Sequence, residues 1–185
     1  MTGRKALAAA ALACAFATTG AIMLTAAFAF AALGDFLLAF RRRWLAALGA
    51  LSFLLTQLAY LASLLPLWIF AGDLAPLWPR YAAVVLIVLS IASTLVWIAP
   101  KLRWGLLIAL PYAIVLAAMS ATAMWLPPYG LPATLGALFW LASHVLFVTA
   151  RYRGIRVAAA TQWWIHITAQ TLIALGVALA APHMN

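Results

Sequence analysis

The chain has 185 residues, of which 69% are hydrophobic and only 7% are charged, and its net charge is +9. This composition excludes an ordinary soluble domain and indicates one polytopic helical membrane domain that spans residues 1–185. The basic residues form short clusters between apolar segments, as the orientation signals of membrane proteins do. We therefore expect a lipid bilayer as the surrounding partner, and no nucleic acid.

Seven apolar segments are separated by turns that contain Gly, Pro or Arg. They predict an all-α transmembrane bundle of about seven helices, at residues 6–19, 21–40, 44–65, 81–99, 106–126, 133–150 and 157–181. The first segment is short for a span of ~20 residues. Its Arg4-Lys5 start and the small-x-small pattern Ala15-Phe16-Ala17 also fit a cleaved signal peptide, but the segments that follow favour a retained first helix.

The distribution of charge predicts the orientation of this bundle. With seven spans, ten of the eleven Lys and Arg residues fall on one side, and Arg80 alone falls on the other. Basic residues concentrate on the cytoplasmic side of membrane proteins. We therefore predict a cytoplasmic N-terminus and an external C-terminus, in a multi-pass protein of a bacterial cytoplasmic (inner) membrane.

An acidic residue inside a hydrophobic span marks the candidate site. The chain has only two acidic residues, and one of them, Asp35, lies in the second segment. A carboxylate in hydrocarbon costs about 2.5–3.5 kcal/mol on insertion scales, so such residues usually serve a function. At 1.5 Å per helical residue, Asp35, His144 and His166 lie roughly 9, 10 and 14 Å from the inner face, and Gln57 and Gln170 roughly 20 Å from it. We call the first three the polar layer, and predict that they converge.

Each of these side chains also has a purely structural interpretation. Asp35 can bond a neighbouring hydroxyl or snorkel toward the arginine turn. His144, which follows Ser143, can act as a neutral interhelical donor. His166 and Gln170 are four residues apart, so they can join helices as one polar stripe.

The third segment carries a single mixed face formed by Gly49, Phe53, Gln57 and Tyr60. This face is either a helix-packing surface or one wall of a cavity. Asp35 and Gln57 are 22 residues apart, and so are His144 and His166. That spacing fits a three-plus-three parallel repeat joined by the fourth span, as in some transporters, but it also fits chance similarity.

No nucleotide, nucleophile-elbow or metalloprotease motif is present, and we predict no cofactor. The polar layer has residue types that zinc accepts, but its sequence spacing gives little support for a metal. The lone Cys14 excludes a disulfide framework. Asp73 is explained by its Gly/Pro turn, and His183 lies in the tail with no predicted role.

Several runs resemble the YhhN family of membrane proteins, which includes lysoplasmalogenases. They are Leu33 to Leu38, an arginine turn, Gly49 to Tyr60, Tyr112 to Met119, Gly136 to Ser143, and Ala169 to Ile173. The resemblance covers most of the chain, about residues 5–176. Family members usually have eight spans, so this chain resembles one that lacks the first helix.

The sequence also departs from the family pattern at three positions. Gln57 stands where the family has a histidine, His144 where it has a second intramembrane acid, and His166 where it has a tyrosine. Asp35 and Tyr60 match the pattern, as do Ser143 and Gln170. One of two acids is therefore replaced, while two histidines are gained.

The resemblance implies hydrolysis of the vinyl ether bond of a lysoplasmalogen, a lysophospholipid, to a fatty aldehyde and a glycerophospho head group. Such cleavage begins with protonation at carbon, and a carboxyl kept protonated in an apolar site suits this step. Asp35 is then the expected acid, with His144 or His166 activating water. The resemblance also implies substrate-binding roles, for Gln57, Tyr60, Ser143 and Gln170.

Two other functional interpretations stay open from the sequence: a small proton-coupled transporter with the three-one-three helix plan, and a family member without catalysis. A hydrolase should have a cavity that opens toward lipid and reaches Asp35. A transporter should instead have two superimposable helix triplets. The sequence does not determine the oligomeric state.

Overall fold

The computed structural model describes residues 2–17, 21–40, 42–69, 78–102, 105–180 and 182. Its helices are α1 (Thr2–Ala17), α2 (Ile22–Leu38), α3 (Arg43–Ile69), α4 (Trp78–Leu102), α5 (Leu106–Met124), α6 (Leu131–Arg153) and α7 (Ala159–Ala180), with a 3₁₀ turn at Pro128–Gly130. These ranges contain no strand, which confirms the predicted all-α fold with seven helices. Asp73 and His183 lie outside the described residues.

The lengths and surfaces of the helices are those of a multi-pass membrane protein. Five helices, α3 to α7, are long and apolar enough to cross a membrane, and the apolar stretches Ala6–Ala17 and Ile22–Leu38 are shorter. Large apolar side chains point outward, including Val96 and Leu107, which are 74% and 73% exposed. A surface this apolar is stable only in contact with lipid or another apolar partner.

Three pairs of consecutive helices form the most extensive contacts: α2 with α3, α6 with α7, and α1 with α2. Helix α3 also packs on α5 and touches α7, while α4 packs on α5 and α6. The N-terminal helices meet α7 through contacts of α1, α2 and α3. This junction brings residues of α2, α3, α6 and α7 into one core.

Glycines allow α6 and α7 to approach at backbone distance. A Cβ added at Gly136 would lie 2.6 Å from the Ile173 nitrogen, and one added at Gly176 would lie 2.2 Å from the Ala133 nitrogen. Because small residues permit such contacts, van der Waals packing can hold the two helices together in lipid. The contact fixes α7 against the face of α6 that carries Ser143.

The two predicted helix triplets pack differently. Helix α1 packs extensively on α2, whereas its proposed counterpart α5 contacts α3 and α4 more than α6. A three-one-three repeat would require equivalent packing in both triplets. The fold therefore gives no support to the transporter interpretation.

Arg80, the one cation on the predicted outer side, has a structural role. Its Nη1 donates hydrogen bonds to the Met124 carbonyl at 3.1 Å and to the Leu126 carbonyl at 3.0 Å. The last carbonyls of a helix have no partner within that helix, and a basic side chain there satisfies them and complements the helix dipole. Arg80 therefore ties the start of α4 to the end of α5.

Candidate active site

Three buried rings form the floor of the site. Trp140 of α6 and Tyr60 of α3 are fully buried, and their ring centroids are 5.4 Å apart with an edge-on geometry. Phe53, two turns before Tyr60, contacts Trp140 with centroids 6.1 Å apart. Gly34 of α2 makes room for Phe53, because a Cβ added at Gly34 would lie 2.9 Å from its ring.

Asp35 and His166 form a buried pair on this floor. The Nε2 atom of His166 lies 3.3 Å from Oδ2 of Asp35, and the two side chains are only 4% and 7% exposed. The His166 ring stacks on Trp140, with centroids 4.9 Å apart. The structure thus brings together two members of the polar layer, from α2 and α7.

Two further predicted residues contact His166. The Ser143 hydroxyl lies 3.4 Å from Nδ1, and the Gln170 amide nitrogen lies 3.0 Å from Nε2. The Gln170 amide can present either its nitrogen or its oxygen to Nε2, because rotation of the amide exchanges the two. Ser143 and Gln170 therefore hold the His166 ring at both nitrogens, beside Asp35.

His144 lies beside His166 on the aromatic floor. Its Nδ1 lies 2.8 Å from the Trp140 carbonyl, which can only accept, so Nδ1 donates. Its ring centroid is 6.4 Å from that of His166, and the Phe53 ring contacts both imidazoles edge-on. The structure therefore places His144 next to the Asp35–His166 pair.

Gln57 and Tyr60 supply further buried polar groups near this floor. Both are fully buried, and within the described part of the chain neither the Gln57 amide nor the Tyr60 hydroxyl makes a well-formed hydrogen bond. The Tyr112 hydroxyl of α5 lies beside the Gln57 side chain. Because buried polar groups are nearly always paired, these donors and acceptors are suited to a polar group of a substrate.

A pocket of about 70 Å³ lies between α4, α5 and α6 and is partly open at the side of the bundle. Its walls are mainly apolar, and His144 and Tyr112 contribute its polar groups. This pocket reaches His144 and does not include Asp35. A path from it to Asp35 passes the cluster of Phe53, Trp140 and the two imidazoles.

Sequence reasoning missed Trp140, the ring on which both histidines pack. Its centroid is 4.6 Å from that of His144 and 4.9 Å from that of His166. The sequence spacing could have identified it, because Trp140 precedes His144 by four residues and so lies on the same face of the helix. In the part of the chain that the structure describes, no three His, Cys, Asp or Glu side chains are close enough to hold a metal ion.

Comparisons with known proteins agree with the resemblance seen in the sequence. The profile of the YhhN family matches residues 2–177. Proteins named lysoplasmalogenase from Mycobacterium bovis and Mycobacterium tuberculosis are each 34% identical over 157 residues, which is 83% of this chain. The chain spans 59% of the length of these relatives. No solved structure matches significantly.

Proposed function

Because this chain belongs to the YhhN family, we propose that it is a membrane-embedded lipid hydrolase that acts on lysoplasmalogens. It cleaves the vinyl ether bond and releases a fatty aldehyde and a glycerophospho head group. The observation that carries the proposal is the Asp35–His166 pair, buried between α2 and α7 at 3.3 Å. We further propose that the protein resides in a bacterial cytoplasmic membrane, with its basic turns on the cytoplasmic side.

The first step needs a proton donor to carbon. Asp35 transfers its proton to the second carbon of the chain, and the electron pair of the double bond forms the new C–H bond. The first carbon then becomes an oxocarbenium ion with its ether oxygen. Asp35, now a carboxylate in an apolar site, is the natural stabiliser of that cation. One acid can thus perform both tasks that two carboxylates usually divide.

The second step needs a base for water. Water adds to the oxocarbenium carbon and loses a proton, which gives a hemiacetal. His144 suits the role of base, because it lines the lipid-facing pocket and packs on Trp140 beside His166. The hemiacetal collapses to the aldehyde and the glycerol hydroxyl, and the proton that His144 took from water passes back to the Asp35–His166 pair.

The remaining predicted residues fit positioning and binding roles. Ser143 and Gln170 contact the two nitrogens of His166 and so hold its ring against Asp35. Gln57 and Tyr60 offer buried donors and acceptors on the neighbouring face of α3. For the double bond to reach Asp35 from the lipid-facing pocket, the Phe53 ring, which contacts both imidazoles, must shift.

The proposal is tested with the purified protein in phosphatidylcholine vesicles. Lysoplasmenylcholine is added, and release of fatty aldehyde is followed over time. The matched control substrate is an alkyl-ether lysophosphatidylcholine, which has the same shape but no double bond to protonate. We expect aldehyde from the vinyl ether only. A folded protein that releases none would refute the proposed activity and leave the non-catalytic interpretation.

A further inference from the structure

We propose that the pocket between α4, α5 and α6 binds the first carbons of a single-chain phospholipid, with the phosphate at a basic rim. This inference rests on the proposed function, because it names where that substrate enters and which lipids are admitted. The rest of the chain lies outside the pocket, in the hydrocarbon of the bilayer. We call this the chain pocket.

The walls of the chain pocket match a hydrocarbon ligand. Aliphatic side chains from three helices surround it: Ile91, Leu95, Ile98, Leu116, Val145 and Val148. Two alanines of α5, Ala109 and Ala113, provide the space. The hydroxyl of Thr94 donates to the Ser90 carbonyl of its own helix, so its proton is already used in a hydrogen bond. Apolar cavities of this kind stay dry and take up apolar molecules.

The two ends of the chain pocket have different chemistry. One end reaches His144 and Tyr112, whose ring centroids are 5.7 Å apart. Beyond the other end lies a basic rim formed by exposed Lys101 and Arg151 and by Arg153. Lys101 follows the pocket residue Ile98 by three positions, so it lies roughly 4.5 Å further along α4.

The arginine of this rim is held in place by both helices that border the pocket. Arg153 of α6 donates a hydrogen bond to the Trp97 carbonyl of α4, and its guanidinium lies 5.1 Å from the centroid of the Trp97 ring. Guanidinium groups pair well with phosphate. An anionic phosphate at the rim would place the adjoining glycerol and the first chain carbons toward His144, where the proposed chemistry needs them.

The size of the chain pocket limits it to one chain. Its volume of about 70 Å³ is roughly half that of the ~150 Å³ cavity that takes up benzene. There is room for a few carbons of one chain and none for a second. We therefore expect single-chain lipids to bind better than diacyl phospholipids, whose second chain would have to pass outside the pocket beside the first.

The test uses a probe that the enzyme cannot hydrolyse. An alkyl-ether lysophosphatidylcholine carrying a diazirine on an early chain carbon is added to the protein in phosphatidylcholine vesicles. After irradiation, the labelled peptides are identified by mass spectrometry. We expect label on α4, α5 and α6 near the pocket, displaced by unlabelled alkyl lysophosphatidylcholine. Diacyl phosphatidylcholine, and an alkylglycerol without phosphate, should displace it far less.

Matched variants test the same pocket by filling it. Ala113→Phe places a ring inside, and we expect about tenfold weaker binding of the probe, as for the loss of roughly two buried methylene groups. Ala92→Phe is the control, because Ala92 lies on the exposed surface of α4 and does not line the pocket. Ala109→Leu fills the pocket with a smaller side chain. Its binding of the probe is measured in the same way if Ala113→Phe does not fold.

The outcomes separate this inference from the proposed function. Three results would overturn the assignment of the chain pocket as a lipid site. They are label confined to other helices, equal labelling of the filled and control variants, and equal displacement of the probe by diacyl lipid. Aldehyde release from lysoplasmenylcholine is measured in parallel. Pocket labelling without aldehyde release would support the pocket and refute the hydrolase. Aldehyde release without pocket labelling would refute the pocket alone.

Discussion

Replacing Asp35 with Asn is the sharpest test of the proposed chemistry. Asn has nearly the same shape as Asp, but it has no proton to donate to carbon. Its side-chain oxygen can take the place of Oδ2 beside His166. Because that contact is 3.3 Å long and Asp35 Oδ2 makes no well-formed hydrogen bond among the described residues, the substitution should change the stability of the fold by no more than ~1 kcal/mol.

The expected effect on rate is much larger than the effect on folding. Removal of a general acid slows a reaction by roughly 10²- to 10⁴-fold. At 1.36 kcal/mol per factor of ten, this corresponds to about 2.7–5.4 kcal/mol of transition-state stabilisation. Because Asp35 and His166 are in contact and act together in the proposed mechanism, His166→Gln added to Asp35→Asn should slow the reaction little further, as expected for residues that act as a unit.

The assay is aldehyde release from lysoplasmenylcholine, together with thermal unfolding in detergent for every variant. Ser120→Ala is the matched control: Ser120 is fully buried, and its hydroxyl makes no hydrogen bond within the described residues. We expect it to keep wild-type activity. If folded Asp35→Asn releases aldehyde at the wild-type rate, the assignment of Asp35 as the acid is refuted.

Three further predictions concern the fold and its orientation. Gly176→Leu should destabilise the protein by at least about 1–3 kcal/mol, because its Cβ would lie 2.2 Å from a backbone nitrogen of α6. Gly105→Leu is the control, since a Cβ there would meet only a side chain at 3.8 Å. Equal unfolding temperatures of the two variants would contradict the close packing of α6 and α7. Arg80→Gln should lower the unfolding temperature, because two carbonyls at the end of α5 lose a charged donor worth about 1.5–3 kcal/mol. The predicted orientation places Arg156 on the cytoplasmic side. A maleimide that does not cross membranes should therefore label Arg156→Cys in spheroplasts only after permeabilisation. Labelling in intact spheroplasts would show that the orientation is the opposite of the predicted one.

The sequence by itself determined the class of fold and the neighbourhood of the site. Seven apolar segments can satisfy their backbone hydrogen bonds in lipid only as helices, so the all-α bundle follows from composition and length. The cost of a carboxylate in hydrocarbon singled out Asp35, and the helical rise placed His166 near its depth. The polarity of a residue and its position along a helix are local properties, so they can be read directly from the sequence.

The tertiary structure decided which partners meet and which surface a ligand can reach. Depth along a helix says nothing about its rotation or its neighbours, so sequence spacing could not separate His144 from the Asp35–His166 pair. Their arrangement depends on Trp140 and Phe53, from two other positions in the chain, which pack against both imidazoles. The role of Arg80 depends on the same kind of information, because its carbonyl partners belong to another helix. Contacts between helices depend on the packing of side chains far apart in the chain, which no local pattern encodes.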